Sequence, residues 1–260
     1  MDTDNGTDFR IDLNADLGEG FGAWSMGEDA AMLALVTTAN IACGGHAGDP
    51  RTMRRCAGLA AAAGVAITAH VSYPDLQGFG RRFLDMEADD LRDLVIAQTG
   101  ALQAVARAEG AAVRGVKPHG ALYNALARHP GQAAAVVAAM ADLGGDLALV
   151  AAPGSEAARR AEKAGIPVVL EAFADRAYRP DGTLVPRTAP GAVRTDQAEV
   201  LAQVLRIART GAVLAEDGTT VRLDAASICL HGDTPGAVDL ARAVRRSLEE
   251  AGIRLAPALP

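Results

Sequence analysis

The stretch 115-GVKPHGALYN-124 lies between an apolar run and a helical pattern, and it carries more polar side chains than a strand-to-helix turn requires. Lys117 and His119 are separated by a single proline, and Tyr123 and Asn124 follow shortly after. A turn of this kind needs little more than one glycine, so the lysine and the histidine require a chemical explanation. The same arrangement, an apolar run followed by polar residues, recurs along the chain and decides the fold.

Seven short runs of mostly apolar residues alternate with helical patterns along the whole chain. They lie at residues 9–16, 37–43, 65–71, 113–118, 147–153, 167–173 and 226–232. Apolar residues are nearly continuous in each run, as expected for strands that are covered on both faces. The alternation predicts a single α/β domain with a parallel sheet over residues 9–260. The acidic, polar stretch 1–8 is expected to be a flexible tail.

Polar residues follow all but one of these runs, and this distribution separates a closed barrel from an open sheet. In a barrel every strand ends at the same mouth, where active sites lie. An open, doubly wound sheet instead concentrates its site at one switch point, and its outer strand ends carry no functional polar residues. The sequence therefore predicts a distorted parallel (β/α) barrel of about seven strands.

Two longer insertions interrupt the alternation of strands and helices, and a further stretch has the pattern of a hairpin. Residues 72–83 are rich in glycine, proline and aromatic residues and are expected to form a lid. Residues 175–192 contain a Pro-Asp-Gly turn signal and predict a small hairpin excursion. Residues 212–223 predict a second hairpin with Asp217-Gly218 at its tip.

Composition excludes several classes of function. The 260-residue chain has a formal net charge of −7, which argues against a nucleic-acid partner because phosphate binding needs a basic surface. It lacks an apolar run long enough to span a membrane, and its N-terminus lacks the apolar segment of a signal peptide. Cys43, Cys56 and Cys229 show no metal-binding or redox spacing, so we expect reduced thiols in a cytoplasmic protein.

A glycine-rich stretch, 18-GEGFGA-23, fits the pattern of a dinucleotide-binding turn. Such a site would need an acidic residue at the end of the second strand, which is missing, and Glu19 would repel a pyrophosphate. The chain also has no P-loop motif. The glycines are better explained by a backbone that turns close to a small ligand.

Histidines and carboxylates after the strands are candidates for acid/base chemistry or for a metal site. Asp16, His46, His70, His119 and His231 all lie at or just past strand ends, whereas His129 lies between two helical patterns and is expected at the surface. Hydrolases often bind a divalent ion through His and Asp residues from different strands, but no H-x-H or H-E-x-x-H spacing occurs here, so a metal stays open.

Cationic residues near the same strand ends indicate an anionic ligand. Lys117, Arg81, Arg82 and Arg176 suit a carboxylate, an oxyanion or a phosphoryl group. Glu171, Asp175 and Asp233 suit the orientation of these cations or of a histidine, although carboxylates at loop starts are also ordinary helix caps. The residues by themselves indicate a small-molecule hydrolase or lyase with an anionic substrate.

Six longer motifs together resemble the LamB/YcsF family. The resemblance runs from about residue 10 to about residue 250, with the motifs in the same order. They are DLNADLGEGFG, ANIACGGHAGDP, PDLQGFGRR, VKPHGALYN, FADRAYRPDGTLVPR and CLHGDTPGAV. The chain departs from the expected pattern at Gly45, where we expect phenylalanine, and at Val71-Ser72, where we expect Pro-Gly.

The resemblance implies a barrel related to that of the polysaccharide deacetylases. It also implies ATP-dependent opening of the lactam of 5-oxo-L-proline to L-glutamate, with ATP as co-substrate and 5-oxoprolinase subunits B and C as partners. The catalytic candidates within its motifs are Asp16, His46, His70, Lys117, His119, His231 and Asp233. The substrate-binding candidates are Glu19, Asn40, Arg81, Asn124, Glu171, Asp175 and Arg176. Of these, Lys117 is expected to hold the substrate carboxylate or a phosphorylated lactam oxygen, and His119 to transfer protons.

Two other functions remain open at this level. One is a stand-alone metal-dependent amidohydrolase or deacetylase, which the histidines and the barrel favour. The other is a non-catalytic subunit that binds the substrate for its partners. The sequence does not determine which subunit of the complex would bind ATP.

Overall fold

The computed structural model describes residues 9–231 and 236–260. The predicted tail at residues 1–8 and the predicted site residue Asp233 lie outside the described residues. In chain order the elements are β1 (Arg10–Leu17), α1 (Asp29–Leu33), β2 (Thr38–Ala42), α2 (Pro50–Ala63), β3 (Ala66–Val71), α3 (Ala88–Ala108), β4 (Val113–Pro118), α4 (Gly120–Ala125), α5 (Pro130–Leu143), β5 (Ala148–Ala151), α6 (Glu156–Lys163), β6 (Val168–Phe173), α7 (Gln197–Thr210), β7 (Ala212–Leu214), β8 (Thr220–Arg222), β9 (Ser227–Leu230), α8 (Ala237–Glu250) and β10 (Arg254–Leu255).

Seven parallel strands close into a barrel. β1 pairs with β2 on one side and with β9 on the other, and the strands from β2 to β6 complete the circle in chain order. Each of these strands falls on one of the seven predicted apolar runs. The prediction of a parallel (β/α) barrel is therefore confirmed. The short β10 adds to the start of β1 outside this circle, with Arg10 opposite Arg254.

Polar side chains fill much of the barrel interior. In β1, Ile11, Leu13 and Ala15 belong to the main hydrophobic core, whereas Asp12 and Asn14 bond to side chains of other barrel strands. The strand is thus buried on both faces, but it alternates between apolar and polar residues instead of being continuously apolar. This alternation follows from the pleat, because successive side chains of a strand point to opposite faces.

A column of hydrogen bonds runs through the interior toward the mouth. At its lower end the Ser227 hydroxyl donates to Asp12 at 2.5 Å, and Asn14 donates to Ser227 at 2.6 Å. Asn40 then donates to both Asn14 at 2.7 Å and Asp16 at 2.9 Å. Such a chain of bonds satisfies buried polar groups and fixes the side chains at its upper end.

The end of the barrel opposite the mouth is closed by the C-terminal residues. Ala258 and Leu259 pack against Ala148, Val150 and Val169, which belong to β5 and β6. Gly115 leaves room for this packing, since a Cβ there would lie 3.0 Å from Leu259 Cδ2 and 2.7 Å from the carbonyl oxygen of Ala148. Ligands therefore reach the barrel from the C-terminal ends of its strands.

The helices lie where the sequence places them. Asp49 caps α2 by accepting a hydrogen bond from the Thr52 amide at 2.8 Å, with Pro50 in the first turn. β7 and β8 form the predicted antiparallel hairpin, and residues 175–192 fold back on themselves through a bridge between Tyr178 and Leu184. Among the described residues, no helix is both long and apolar enough to cross a membrane.

One buried residue of α3 fixes a loop beside the mouth. Gln98 accepts a hydrogen bond from the Ser72 amide at 3.0 Å and donates to the Ser72 carbonyl at 2.7 Å. Gly45 lies against the same side chain, and a Cβ at this position would come within 2.7 Å of Gln98 Oε1 and 2.9 Å of the Ser72 carbonyl oxygen. Both departures from the expected family pattern, at Gly45 and at Val71-Ser72, therefore meet at Gln98.

Candidate active site

A cavity of about 860 Å³ opens at the C-terminal mouth of the barrel. It brings together residues from the first strand to the last strand of the barrel, from Asp16 to His231. The predicted site residues that line it are Asp16, Glu19, His70, Arg81, Lys117, His119, Asn124, Glu171, Arg176 and His231. His46, Asn40 and Asp175 do not line the cavity, and each of them supports a residue that does.

Lys117 is buried in the floor of this cavity, with 1% of its surface exposed. Its ammonium nitrogen lies 2.8 Å from Asp16 Oδ1 and 2.8 Å from Glu171 Oε2, and it also contacts Asn14 Oδ1 at 3.2 Å and Cys229 Sγ at 3.0 Å. Burial opposes the charge, but the neighbouring Asp16, Cys229 and Glu171 raise the pKa of Lys117 well above its usual value. Its charge is thus already directed toward two carboxylates, and the predicted contact with a substrate carboxylate would have to compete with them.

Asp16 links the lysine to the histidines. Its Oδ1 accepts from Lys117 and Asn40, and its Oδ2 lies 3.3 Å from His70 Nε2. Burial by itself would raise the pKa of Asp16, but His70 and Lys117 hold that pKa well below its usual range. Asp16 is therefore a fixed anion in the wall of the cavity.

Asn40 lies beneath the cavity and does not line it, so direct contact with a substrate stays a prediction. It is opposite Thr68 in the sheet, one layer below His70, and its side chain is used up by bonds within the interior column. Its amide reaches Asp16 but not the cavity, so its place in the structure is that of an orienting residue.

Four buried residues, Glu19, His46, His70 and His119, form a cluster that we call the histidine cluster. Their potential ligand atoms lie within 4.8 Å of one another. His46 and His119 stack with ring centroids 3.7 Å apart, and Glu19 Oε1 lies 3.2 Å from His46 Nε2 and 3.7 Å from His119 Nδ1. Burial and then the neighbouring histidines lower the pKa of both His46 and His119 well below the usual value, so both rings are neutral.

The hydrogen bonds of the cluster suit a cation. His70 Nδ1 lies 3.0 Å from the Lys117 carbonyl oxygen and His119 Nε2 lies 2.9 Å from that of Phe79, so these nitrogens carry the protons. The inner nitrogens, His70 Nε2 and His119 Nδ1, are 3.0 Å apart, and Asp16 Oδ2 lies 3.3 Å from His70 Nε2. A proton on His70 Nε2, or a metal ion bound there, would satisfy both contacts. Carbonyl oxygens that fix the tautomer of metal-binding histidines are typical of metal sites.

The donor set also fits a divalent ion. Three imidazoles and a carboxylate are typical ligands of catalytic Zn²⁺ and related ions. His46 Nδ1 is buried and, within the described part of the chain, has no hydrogen-bond partner. The residues present could therefore hold such an ion.

Residues 72–83 form a roof over the histidine cluster. Phe79 accepts the hydrogen bond from His119 and packs edge-on against the rings of His46 and His119, with both centroid distances at 5.3 Å. Phe79 has a φ of 53°, a conformation that strains a residue with a side chain. Gly80 passes so close that a Cβ would lie 2.9 Å from His119 Cδ2. Opening of this roof, as the predicted lid, stays a prediction.

His231 and Asp175 form a separate dyad at the edge of the cavity. His231 Nδ1 lies 2.8 and 2.9 Å from the two carboxylate oxygens of Asp175, and the ring stacks on Phe173 at 5.5 Å. Burial opposes the charge of Asp175, but His231 lowers the pKa of that carboxyl below its usual value. A carboxylate that binds Nδ1 leaves Nε2 for proton transfer with a ligand.

Tyr123 lines the cavity and was not among the predicted site residues. Its hydroxyl is buried beside the Glu171 carboxylate and has no hydrogen bond of regular geometry to the described residues, whereas Glu171 Oε2 is ion-paired with Lys117 at 2.8 Å. Burial and then Glu171 raise the pKa of Tyr123 well above its usual value, so the hydroxyl keeps its proton. Its position four residues after His119, one helical turn on, was the available signal.

The chain is similar over almost its whole length to proteins of one family. A profile of the LamB/YcsF family matches residues 11–260. The A subunit of the 5-oxoprolinase of Kocuria rhizophila is 57% identical over 243 residues, which cover 94% of this chain and 96% of that protein. The solved structure of the lactam utilization protein from Thermus thermophilus has 43% sequence identity and a TM-score of 0.90, covering 95% of this chain and 99% of the other.

A more distant structural likeness concerns the fold alone. A peptidoglycan N-acetylglucosamine deacetylase has a TM-score of 0.50 and 13% identity, covering 96% of this chain and 86% of that chain. Together with the closed barrel, it bears out the expected relation to the polysaccharide deacetylase barrel.

Proposed function

The chain belongs to the LamB/YcsF family, and from this membership and the geometry of the mouth we propose that it is one subunit of an ATP-dependent 5-oxoprolinase. The reaction opens the lactam of 5-oxo-L-proline to L-glutamate while ATP is hydrolysed to ADP and phosphate, with subunits B and C as partners. The observation that carries the proposal is the 57% identity, over nearly the full length of both chains, to a protein named for this enzyme. The three free, buried cysteines suit a reducing cytoplasm.

The mouth supplies the groups that this reaction needs. The substrate carries a carboxylate, and Arg81 lines the cavity as a guanidinium partner for it. A lactam is a cyclic amide with one N–H donor and one C=O acceptor on the same side. The Glu171 carboxylate and the Tyr123 hydroxyl, adjacent in the cavity, offer the complementary acceptor and donor.

Proton transfer falls to the dyad of His231 and Asp175. Ring opening requires a proton on the leaving nitrogen, and His231 lines the cavity with Nδ1 fixed by Asp175. His119, the residue first expected in this role, is neutral and has both ring nitrogens directed at other groups of the protein. Asp16 and Lys117 maintain a fixed pattern of charge at the floor.

The histidine cluster would hold a divalent ion, if the complex uses one. Such an ion would supply a Lewis acid for the amide carbonyl, or a water of lowered pKa. Glu19, His46, His70 and His119 would be its ligands, and the carbonyls of Phe79 and Lys117 would keep two of the rings in the required tautomer.

Reconstitution tests the proposal. The purified chain is assayed for glutamate and ADP from 5-oxo-L-proline and ATP, first by itself and then with subunits B and C. We expect no glutamate from the chain by itself and matched formation of glutamate and ADP from the three-subunit mixture. Glutamate formation by subunits B and C without this chain would refute the proposed role.

A stand-alone metal-dependent amidohydrolase or deacetylase is the second candidate, and the histidine cluster is the observation that favours it. It predicts hydrolysis of an amide without ATP or partners, lost on treatment with a chelator and restored by one added ion. ATP-independent glutamate release by the chain would establish this alternative in place of the first.

A further inference from the structure

The outer half of the cavity is strongly basic, although the chain as a whole has a net charge of −7. Six arginines line the cavity, whereas its acidic residues are four. Three of those four, Asp16, Glu19 and Glu171, lie at the floor with Lys117 and the histidines. Asp181, the fourth, pairs with Arg128 at 2.6 Å, and Glu156, outside the lining, pairs with Arg159 at 2.6 Å. The excess of positive charge therefore lies on the arginines of the excursion 175–192. The six arginines are Arg81, Arg128, Arg159, Arg176, Arg179 and Arg187.

The hairpin excursion 175–192 carries three of these arginines. Arg176 has only 6% of its surface exposed, and its guanidinium donates to the carbonyl oxygens of Val185 at 2.6 Å and Ala192 at 3.2 Å. No carboxylate of the described residues forms an ion pair with it. Arg179 and Arg187 are exposed, line the same cavity and likewise form no ion pair within residues 9–231 and 236–260.

Arg176 is held by neutral carbonyl oxygens, and the neighbouring Asp175 carboxylate does not form an ion pair with it. Burial and then the positive charge of Arg187 lower the pKa of Arg176 to about 10, although Asp175 acts to raise it, so the two guanidinium groups are close enough to repel. A bound anion would lessen this repulsion, and planar guanidinium groups suit phosphate oxygens.

The size of the cavity also exceeds what the lactam requires. Cavities of roughly 300–1,000 Å³ hold ligands the size of a drug molecule, and this one is about 860 Å³. A five-membered ring with one carboxylate occupies only a small part of that volume. Space for a second, larger group remains between the floor and the excursion.

We propose that Arg176, Arg179 and Arg187 form a phosphate-binding subsite in the outer half of the cavity, so that this chain itself binds the phosphoryl group of the reaction. The inference rests on the proposed function, which supplies two sources for that group: the triphosphate of ATP, or a phosphorylated form of the lactam made elsewhere in the complex. Both carry phosphate oxygens into the cavity that the floor residues also line.

Direct binding to the full chain tests the subsite. The probes are ATP, inorganic triphosphate and adenosine, titrated calorimetrically at low salt. The variant Arg179→Ala/Arg187→Ala removes two exposed guanidinium groups of the subsite without disturbing the buried one. The control Arg206→Ala/Arg209→Ala removes two exposed arginines from α7, outside the cavity, with the same change of net charge.

We expect the wild-type chain and the control to bind triphosphate with similar affinity, and the subsite variant to bind it on the order of tenfold to a hundredfold more weakly. Tighter binding of ATP than of triphosphate assigns the nucleotide as the source. Equal or weaker binding of ATP shows that the subsite recognises phosphate oxygens alone, as a phosphorylated small substrate requires. Absence of triphosphate binding by the wild-type chain, or an equal loss in both variants, overturns the inference. This assay measures binding and not turnover, so its result is independent of the reconstitution. Triphosphate can bind when no glutamate forms, and glutamate can form when triphosphate does not bind.

Discussion

Replacement of Lys117 by methionine should separate the charge of the lysine from its volume. Methionine keeps most of the buried aliphatic chain but leaves Asp16 and Glu171, each 2.8 Å from the ammonium in the native protein, without their cation. Removing one partner of a buried ion pair typically destabilises a protein by about 3–5 kcal/mol. With a change in Tm of about 2–4 °C per kcal/mol in a chain of this size, Tm should fall on the order of 10 °C.

The penalty should depend on pH in a defined direction. In the native protein the neighbours of Asp16 hold its pKa below the unfolded value of 3.8, so its stabilisation is present above that value and is lost as the pH falls through the folded pKa. In the variant the buried carboxylates face each other without a cation, which raises the pKa of at least one of them. That carboxyl takes up a proton as the pH falls, so the loss of stability relative to wild type should be larger at about pH 8 than at about pH 5.

Urea unfolding of both proteins at the two pH values measures the effect. Lys163 is the other lysine of the chain and lies exposed on α6, so Lys163→Met is the matched control and should stay within about 0.5 kcal/mol of wild type. A Lys117→Met protein as stable as this control at the higher pH would refute the view that the lysine compensates two buried carboxylates.

Three further changes test other parts of the structure. Gly48→Ala should lower the free energy of unfolding in urea by several kcal/mol, on the order of other strained and overpacked sites. Gly48 has a φ of 82°, and a Cβ there would lie 2.4 Å from a carbonyl oxygen of β2. The control Gly100→Ala, with open space around it in α3, should instead stabilise the protein by up to about 1 kcal/mol. Tyr123→Phe should raise the KM for 5-oxo-L-proline about tenfold in the reconstituted complex. Tm should stay nearly unchanged, because the buried hydroxyl has no regular hydrogen bond to lose among the described residues. An unchanged KM would show that the Tyr123 hydroxyl does not bind the substrate. His119→Ala should abolish metal retained after dialysis, measured by elemental analysis, whereas His129→Ala should retain it; equal metal content in the two variants would contradict the ligand set.

The barrel could be predicted because the signal for it is repeated. Seven apolar runs, each but one followed by polar residues, require seven strands whose ends meet, and all seven appear at the predicted places. The sequence does not reveal that the polar residues of β1 point into the barrel. Their burial depends on hydrogen-bond partners from other strands. Those partners become visible only when the strand register is known.

The site could be predicted as a location better than as a set of contacts. Sequence position identifies the end of a strand, but not the depth of a side chain in the barrel. Asn40 lies two residues before the end of β2, opposite Thr68, whereas His70 is opposite Ala42 at the end of that strand, so Asn40 is one layer lower. In the same way, Lys117 was predicted as a cation for the substrate, whereas its carboxylate partners come from β1 and β6. The arginines at 179 and 187 gave no periodic signal, because they belong to an irregular excursion.

The contact between Gly45, Gln98 and Ser72 has a consequence for how this chain can change by mutation. Any larger residue at position 45 would collide with Gln98, and a smaller residue at position 98 would leave the Ser72 amide and carbonyl without their partners. A Cβ at position 45 would also lie 2.9 Å from the Ser72 carbonyl oxygen, so a change at positions 45 and 98 together would still require the backbone at Ser72 to move. Substitution at any one of the three positions is therefore conditional on the other two, and we expect the loop beside the histidine cluster to change as a unit.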